Sequence, residues 1–77
     1  MKVEILGTGC AKCVGLYNNA EQALIQMGCE YQLEKVEDLM KIMEYGVMNT
    51  PGFVVNGVVK STGKLLSVAE CKAILEA

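Results

Sequence analysis

The sequence predicts a small α/β protein with a four-stranded mixed sheet, and three observations lead to this prediction. Two short strand-like runs are separated by an amphipathic helical pattern, as in a strand–helix–strand unit. A β-hairpin signal follows a second helical pattern, and a last helix has its own start signal. The predicted order is therefore strand, helix, strand, helix, hairpin, helix (βαβαββα). We expect one domain over residues 1–77.

The first strand and the first helix account for the N-terminal third of the chain. Lys2 to Leu6 alternates charged and apolar residues and then becomes apolar, which is typical of a strand. From Cys13 onward, apolar residues recur at helical spacing with polar side chains between them. Gly28 is suited to end this helix because it can adopt the left-handed cap conformation. The apolar helical positions are Leu16, Tyr17, Ala20, Ala23, Leu24 and Met27.

A second strand and a second helix follow. Residues 29–36 alternate again, which predicts a strand parallel to the first, joined to it by a right-handed helical crossover. Glu37 and Asp38 stand where the positive end of a helix dipole favours acids. Gly46 is expected to help end this helix. Its helically spaced apolar positions are Leu39, Met40, Met43 and Val47.

Local signals in the C-terminal part predict a hairpin and a capped helix. Within residues 53–60, two β-rich runs flank Asn56-Gly57, the dipeptide that best tolerates the positive φ angles of a type I′ turn. Ser67 and Glu70 have the spacing of a capping box, so a helix is expected to begin there. The residues that this last helix is expected to bury are Val68, Cys71, Ile74 and Leu75.

Composition and charge exclude several classes of function. The net charge is −2 and no basic patch is present, so we expect no nucleic-acid partner. The apolar runs are too short to span a bilayer, and the first six residues do not resemble a signal peptide, so no membrane association is expected. We therefore expect a cytoplasmic protein and, by default, a monomer. Disulfides in a reducing cytosol are usually transient and catalytic.

The segment GTGCAKC, residues 7–13, predicts the chemistry. Cys10 stands where a strand ends and a helix begins, and Cys13 lies one helical turn further. At this spacing the two sulfurs can form a disulfide, and the helix N-terminus stabilises a thiolate at Cys10. Lys12 adds a positive charge nearby, or is simply solvated. Gly9 allows a sharp turn and the close approach of a partner backbone.

The positions of the two cysteines predict separate roles. Cys10, at the exposed start of the helix, is expected to attack a substrate disulfide. Cys13, against the helix, is expected to resolve the mixed disulfide and release the reduced partner. A C-x-x-C pair that opens a helix inside a strand–helix–strand unit is typical of thioredoxin-like redox motifs. The pair would itself be the redox centre, so no cofactor is expected.

When the segment of residues 49–57 is considered together with the cysteine motif, the whole chain resembles the thioredoxin-like superfamily. It is most similar to the very small thioredoxin- or glutaredoxin-like redox-active disulfide proteins of archaea and anaerobic bacteria. The resemblance lies in residues 9–13, in residues 49–57 (NTPGFVVNG) and in the turn at Gly63 before the last helix. It implies the thioredoxin-like fold, with a four-stranded mixed sheet flanked by helices. It also implies that Pro51 is cis beside the disulfide and that the Thr50 backbone pairs with an extended substrate segment.

The resemblance further implies a thiol–disulfide oxidoreductase that exchanges its Cys10–Cys13 disulfide or dithiol with partner-protein disulfides. Its expected partners are disulfide-containing substrate proteins and a thioredoxin-reductase-like or other dithiol electron donor. The two residues between the cysteines differ from the Gly-Pro of typical thioredoxins and the Pro-Tyr of typical glutaredoxins, so no reduction potential follows by analogy. The substrate-binding residues expected beside the cysteines are Gly9, Lys12, Thr50 and Pro51.

A metal carrier is the main alternative. Small copper and heavy-metal chaperones also place Cys-x-x-Cys after a first strand, and Cys10 and Cys13 could bind Cu(I) or Zn(II) as thiolates. Thr8, however, stands where those chaperones have a methionine, their element order lacks a final helix, and Pro51 has no role in them. A third alternative, a non-catalytic adaptor that uses only the surface of the fold, is disfavoured by the intact cysteine pair.

Most of the other cysteines and methionines are expected to be core residues. Cys29 begins the second predicted strand and Cys71 lies on the apolar face of the last helix. Free cysteine is often buried and packs like a small hydrophobe. Met48 is expected near the site, as apolar surface for a partner. The methionines assigned to core-facing helical positions are Met27, Met40 and Met43.

Two further expectations concern the surroundings of the disulfide. A flat apolar surface around Gly9, Met48, Pro51 and Gly63 is expected to accept partner proteins. Larger thioredoxins have a buried acid that assists proton transfer. Glu34 is the nearest candidate for that position in this chain, but as a strand residue it is expected to face solvent.

Overall fold

The computed structural model describes residues 1–76, so Ala77, the last residue of the predicted domain, lies outside the described residues. The element order is the one predicted, with four strands and three helices in this part of the chain. The elements are β1 (Lys2–Leu6), α1 (Ala11–Met27), β2 (Gln32–Val36), α2 (Leu39–Glu44), β3 (Gly52–Val55), β4 (Val58–Thr62) and α3 (Val68–Glu76).

The four strands form one mixed sheet in the order β2-β1-β3-β4. β1 is one of the two inner strands, and it pairs in parallel with β2 and antiparallel with β3. The parallel pair requires a crossover connection, which α1 provides. β3 and β4 are joined by Asn56 and Gly57, whose φ angles of 51° and 82° suit a type I′ turn, so the predicted hairpin is confirmed.

One face of the sheet is covered by α1 and α3. The start of α3 is fixed by the predicted capping box: the Ser67 N–H donates to Glu70 Oε1 at 3.0 Å, and the Glu70 N–H donates to Ser67 Oγ at 3.1 Å. The Asn19 side chain donates to the Leu66 carbonyl at 2.8 Å, which ties α1 to the segment before α3. The buried residues on this face are Val3, Ile5, Leu16, Ala20, Ala23, Leu24, Phe53, Val55, Leu66, Cys71 and Leu75.

Among residues 1–76, α2 is the one helix on the opposite face, and it has six residues. It begins at Asp38, whose Oδ1 accepts a hydrogen bond from the Met40 N–H at 2.9 Å. Its buried contribution is Ile42, and Val47 follows just beyond its end. The buried residues on this second face are Leu6, Val36, Ile42, Val47 and Val54.

The prediction for the start of the second strand, and with it the burial of Cys29, was wrong. α1 ends at Gly28, which has a φ of 67° and bonds back to the last turn of the helix. The residues after this cap connect it to the sheet, so β2 begins only at Gln32. The Gln32 N–H donates a hydrogen bond to the Met1 carbonyl at 2.8 Å. Cys29 therefore lies in the connection and is exposed. Cys71, in contrast, is buried as predicted.

Two of the three methionines assigned to the core are exposed. Met40 is 70% exposed and Met43 is 67% exposed, whereas Met27 is partly buried against the core as expected. A six-residue helix presents little more than one turn to the sheet, and Ile42 takes the inward position. The helical spacing was therefore right, but the face assigned to the core was wrong.

Within residues 1–76, no helix has both the length and the apolar character required to cross a membrane.

Candidate active site

The first cysteine of the motif is the N-cap of α1. Cys10 has extended backbone angles (φ −68°, ψ 165°), and its Sγ accepts a hydrogen bond from the Cys13 N–H at 3.2 Å. The Cys10 carbonyl accepts from the Val14 N–H at 3.0 Å, which starts the helical hydrogen-bond pattern. A sulfur at this position faces N–H groups that have no partner within the helix, together with the positive end of the helix dipole. Cys10 thus lies at the strand-to-helix junction, as predicted.

The two cysteines of the motif form a disulfide with very different exposure at its two ends. Cys10 and Cys13 are bonded to each other, with their Cα atoms 5.0 Å apart. Cys10 is exposed, whereas Cys13 is only 5% exposed. An incoming group can therefore reach the disulfide at Cys10, while the sulfur of Cys13 is covered by the protein.

A close approach at Gly7 allows Cys13 to be buried. A Cβ atom at Gly7 would overlap Cys13 Sγ and would lie 3.0 Å from Cys13 Cβ. The Gly7 N–H donates to the Val36 carbonyl at 2.9 Å, so the backbone of the loop is held at the end of β2 and cannot move away easily. Gly9 has a φ of 87°, which a residue with a side chain rarely adopts.

The second motif lies beside the first. The Thr50–Pro51 peptide bond is cis, as the family resemblance implied. Thr50 Cβ is 3.8 Å from the position that a Cβ on Gly7 would occupy, so Thr50 is adjacent to the loop that covers Cys13. Pro51 is fully buried, and its carbonyl accepts a hydrogen bond from the Gly63 N–H at 2.8 Å.

An apolar groove extends from this loop toward α2. Its volume is about 640 Å³. Met48, near its opening, is 93% exposed, and Leu39 is 60% exposed. Of the residues expected to form a flat apolar surface, Met48 is exposed and lines this groove, whereas the side chain of Pro51 is buried. The groove is lined by Thr8, Leu39, Ile42, Met43, Gly46, Val47, Met48 and Thr50.

The charged groups nearest the loop carry both signs. Lys12 is exposed on the first turn of α1. Glu37 approaches from the end of β2, with its Oε2 3.7 Å from the position that a Cβ on Gly9 would take. Asp38 follows at the start of α2. The groove side of the loop is therefore acidic, and the α1 side is basic.

Comparison with known proteins identifies the family to which this chain belongs. The model of the thioredoxin-domain family matches residues 1–76. This chain belongs to the thioredoxin family. It is 40% identical over 75 residues to a thioredoxin of Methanothermobacter thermautotrophicus, with 97% of each chain covered. It is 38% identical over 74 residues to a thioredoxin of Methanocaldococcus jannaschii, which covers 96% of this chain and 85% of the relative.

Family membership confirms the thioredoxin-like fold that the sequence predicted, with its mixed sheet flanked by helices. Together with the Cys10–Cys13 disulfide it identifies a thiol–disulfide oxidoreductase in general terms. The metal-carrier alternative is not favoured, since the helix α3 follows the β3–β4 hairpin and the chain belongs to the thioredoxin family. Among residues 1–76, the acids and cysteines form no cluster of three or more that could hold a metal ion.

For this thioredoxin-family chain, the sequence correctly predicted the position of Glu34 but did not predict that Glu4 is buried. Glu34 faces solvent as expected, and its Oε2 is 4.0 Å from Lys2 Nζ. The buried acid is Glu4, which sequence reasoning missed, and its Oε1 accepts a hydrogen bond from the Tyr45 hydroxyl at 2.8 Å. This hydrogen bond, with a smaller effect of burial, raises the pKa of Tyr45. Glu4 shares its face of β1 with Leu6, and that alternation was the available signal.

The surroundings of the two other cysteines, Cys29 and Cys71, differ from those of the cysteines in the motif. Cys71 is buried against the main core, and burial, with a smaller effect from the charge of Glu70, raises the pKa of its thiol to about 11. A thiol with so high a pKa is almost entirely protonated at neutral pH and is a poor nucleophile. Cys29 is exposed but lies after the far end of α1, away from the N-terminal turn that holds Cys10.

Proposed function

We propose that this protein is a protein-disulfide reductase in which Cys10 is the attacking and Cys13 the resolving cysteine. The observation that carries the proposal is the asymmetry of the disulfide: Cys10 is an exposed helix N-cap, and Cys13 is buried one turn further. Only Cys10 can meet the sulfur of a partner protein. Cys13 is placed to react with Cys10 but not with solvent.

The exchange consists of two displacements. In the reduced protein, the Cys10 thiolate attacks one sulfur of a partner disulfide, a mixed disulfide forms, and the other partner sulfur leaves as a thiolate. Cys13, as a thiolate, then attacks the Cys10 sulfur, which forms the intramolecular disulfide and releases the second partner thiolate. The partner gains two electrons and the protein loses two. A thioredoxin-reductase-like or other dithiol donor then reduces the Cys10–Cys13 disulfide.

The surroundings of Cys10 support its role as the nucleophile. The hydrogen bond from the Cys13 N–H and the dipole of α1 stabilise negative charge on the Cys10 sulfur. α1 has seventeen residues, so the peptide dipoles of several turns are aligned behind this sulfur. Lys12, exposed on the same turn, adds positive charge near the site and near the approaching partner.

Gly9, Lys12, Thr50 and Pro51 are proposed to bind the substrate segment. Within residues 1–76, the Thr50 backbone makes no hydrogen bond to another backbone group, so it is free to pair with an extended partner chain. Pro51 fixes the turn that presents Thr50. Gly9 has no side chain that would hold a partner backbone away from Cys10.

The cellular setting forms part of the same proposal. We propose a monomer with one domain over residues 1–77 that acts in a reducing cytoplasm on disulfide-containing proteins, with the disulfide as its whole redox centre. The free thiols of Cys29 and Cys71 support this, since cysteines in a reducing compartment usually remain unpaired.

The test combines a redox titration with cysteine variants. In dithiothreitol buffers followed by thiol alkylation and mass mapping, one two-electron transition is expected at Cys10 and Cys13. With insulin as substrate and dithiothreitol as donor, Cys10→Ser should lose activity, and Cys13→Ser should accumulate mixed disulfides. Cys29→Ser is the matched control and should keep wild-type activity.

The opposite results would contradict the assignment. Normal turnover by Cys10→Ser would show that Cys10 is not the nucleophile. If no reversible disulfide formed between Cys10 and Cys13, the thiolates would have another use, and tight binding of Cu(I) or Zn(II) would then support metal transfer.

A further inference from the structure

The carboxylate of Glu37 lies beside the residue that precedes the exposed cysteine. Glu37 directly follows the end of β2, and its Oε2 is 3.7 Å from the position that a Cβ on Gly9 would occupy. Cys10 is the next residue, so this oxygen is at most roughly 9 Å from the Cys10 Cα atom. Charges this close still influence each other at ordinary ionic strength, where the screening length is about 8–10 Å.

The charge of Glu37 is not engaged elsewhere in the described part of the chain. Within residues 1–76 its carboxylate forms no hydrogen bond, and the one ion pair there joins Lys2 and Glu34. Asp38, the neighbouring acid, differs because its Oδ1 accepts from the Met40 N–H at 2.9 Å and therefore faces the N-terminus of α2. Glu37 is thus the acid whose free charge is nearest the loop that holds the disulfide.

The other charged and titratable groups around Cys10 belong to different elements. Cys10 caps α1, whose dipole stabilises a thiolate, and Lys12 is exposed on the first turn of the same helix. Cys13, one turn further, is buried. Lys64, in the segment after β4, lies near Glu70 of α3, whose charge offsets its own. The positive groups of α1 and the carboxylate after β2 therefore act on the Cys10 sulfur with opposite signs.

We propose that Glu37 destabilises the Cys10 thiolate and thereby makes the protein a stronger reductant, an inference that rests on the proposed reductase function. A thiolate that is stabilised in the reduced protein makes the disulfide easier to reduce and the dithiol a weaker electron donor. The N-terminus of α1 and Lys12 act in that direction, and Glu37 opposes them. Glu37 acts only through its charge, so it is an electrostatic positioning residue and not a catalytic one.

The first measurement is the equilibrium between the protein and dithiothreitol. Dithiothreitol gives two electrons to the Cys10–Cys13 disulfide, whose S–S bond breaks while the ring disulfide of oxidised dithiothreitol forms. One proton from dithiothreitol passes to Cys13, and the other passes to Cys10 or, where Cys10 is a thiolate, to solvent. Thiol alkylation and mass mapping of quenched mixtures give the equilibrium constant for reduction at each pH.

The second measurement is the rate at which iodoacetamide alkylates Cys10 in the reduced protein. The thiolate is the reacting form, so this rate depends on the thiolate fraction and on the intrinsic nucleophilicity of the thiolate. Both quantities are measured between about pH 6 and pH 9 for the wild type and for Glu37→Gln. This substitution keeps the size of the side chain and removes its charge.

Glu37→Gln should change the two quantities in opposite pH ranges, because loss of the carboxylate should favour the thiolate by about three-fold. Below the pH at which Cys10 titrates, the thiolate is the minor form. Alkylation should there be about two-fold faster, since a stabilised thiolate is also a weaker nucleophile, and the equilibrium constant should be unchanged. Above that pH, the equilibrium constant for reduction should rise by about three-fold, or ~14 mV, with no gain in alkylation.

Matched variants separate a local effect of this charge from other causes. Asp38→Asn removes one charge from the next residue and keeps an N-cap side chain, so its effect should be smaller. Glu44→Gln should leave both quantities unchanged, because Glu44 lines a cavity beside Tyr45. Glu37→Lys should increase both effects, and about 1 M salt should reduce them. A merely structural role of Glu37 would not give this graded and salt-dependent response.

The outcomes separate this inference from the function on which it rests. Identical pH profiles for the wild type and Glu37→Gln, with Cys10 as the thiol that is alkylated first, would overturn the inference alone. Equal effects of Glu37→Gln and Glu44→Gln would also overturn it, because the net charge and not the position of Glu37 would then be responsible. If no reversible disulfide formed between Cys10 and Cys13, the proposed function and this inference would fail together.

Discussion

The two faces of the sheet are covered very differently. On one face, α1 and α3 contribute seventeen and nine residues, and Leu16 and Phe53 are completely buried beneath them. On the other face, the six residues of α2 leave a groove open, and one of the buried groups there is the charged Glu4. β1 is an inner strand with side chains on both faces of the sheet, and the Cys10–Cys13 disulfide follows its end.

This difference separates stability from recognition. The thick face, with α1 and α3, fixes α1 and therefore the N-terminal turn that holds Cys10. The thin face, with α2, exposes apolar side chains and acids close to the loop that holds the disulfide. Substitutions in the thick face should therefore act mainly on the free energy of unfolding, and substitutions on the thin face mainly on exchange. The following predictions test this division, beginning with the largest effect.

Truncation of one core residue on each face tests the division directly. Leu16→Ala should lower the free energy of unfolding by about 4 kcal/mol, since Leu16 is enclosed by helices and sheet. Ile42→Ala should lower it by about 2 kcal/mol, because α2 is short and open enough to relax into the space. Urea titrations of the oxidised proteins measure both values. Equal losses would show that the thin face is as important for stability as the thick one.

The thiol of Cys71 should make the thick face sensitive to alkali. Burial raises the pKa of Cys71 from 9.0 to about 11, so the folded state disfavours the thiolate. Its effect on stability is absent below pH 9 and grows between pH 9 and pH 11, where the loss should reach about 2 to 3 kcal/mol. Urea titrations across this pH range should show a shallower loss for Cys71→Ala. Cys29→Ala, which removes an exposed thiol, should keep the wild-type slope.

Loss of the hydrogen bond between Tyr45 and Glu4 on the thin face should lower the free energy of unfolding by about 2 kcal/mol. Tyr45→Phe removes the hydroxyl that donates to Glu4 and leaves a buried carboxylate without this partner. Thermal or urea unfolding at neutral pH measures the loss, and Tyr31→Phe, on the other side of the sheet, is the control. A Tyr45→Phe protein as stable as wild type would show that water satisfies Glu4 equally well.

The cap of α3 should have the smallest effect of the four. Ser67→Ala removes the Oγ that accepts from the Glu70 N–H, which should cost about 1 kcal/mol of unfolding free energy. Ser61→Ala on β4 is the matched control and should be close to neutral. Because α3 belongs to the thick face and not to the groove, insulin reduction by Ser67→Ala at moderate temperature should equal wild type. A large loss of activity at full stability would place α3 in the site.

Much of the fold could be predicted because its signals are local. Asn56-Gly57 strongly favours a type I′ hairpin turn through its own backbone preferences, and Ser67 with Glu70 makes its two hydrogen bonds within one turn. The placement of Cys10 at the start of α1 is equally local, since a strand pattern ends and a helix pattern begins around it. Most residues whose environment depends on a few neighbours were therefore assigned correctly, although the cap at Gly28 moved the start of β2 and left Cys29 exposed.

The errors concern residues whose burial depends on distant parts of the chain. Glu4 is buried because Tyr45, forty-one positions later, reaches over the sheet. Met43 is exposed because α2 is only six residues long, and helical spacing alone does not say which side faces the sheet. The groove could not be predicted for the same reason, since it forms between α2 and two loops that are distant in sequence, one with Thr8 and one with Thr50.

The inner position of β1 has a consequence for the order in which the protein assembles. β1 precedes all other elements, yet Lys2 pairs with Gln32 and Val3 pairs with Val55. During synthesis on the ribosome, this strand must wait until most of the chain has emerged before both of its edges are paired. The hairpin of β3 and β4 needs no such delay, because its partners are neighbours in sequence. We therefore expect β1, the first strand to be synthesised, to complete its pairing last. Until then, apolar residues such as Ile5 are exposed to chaperones.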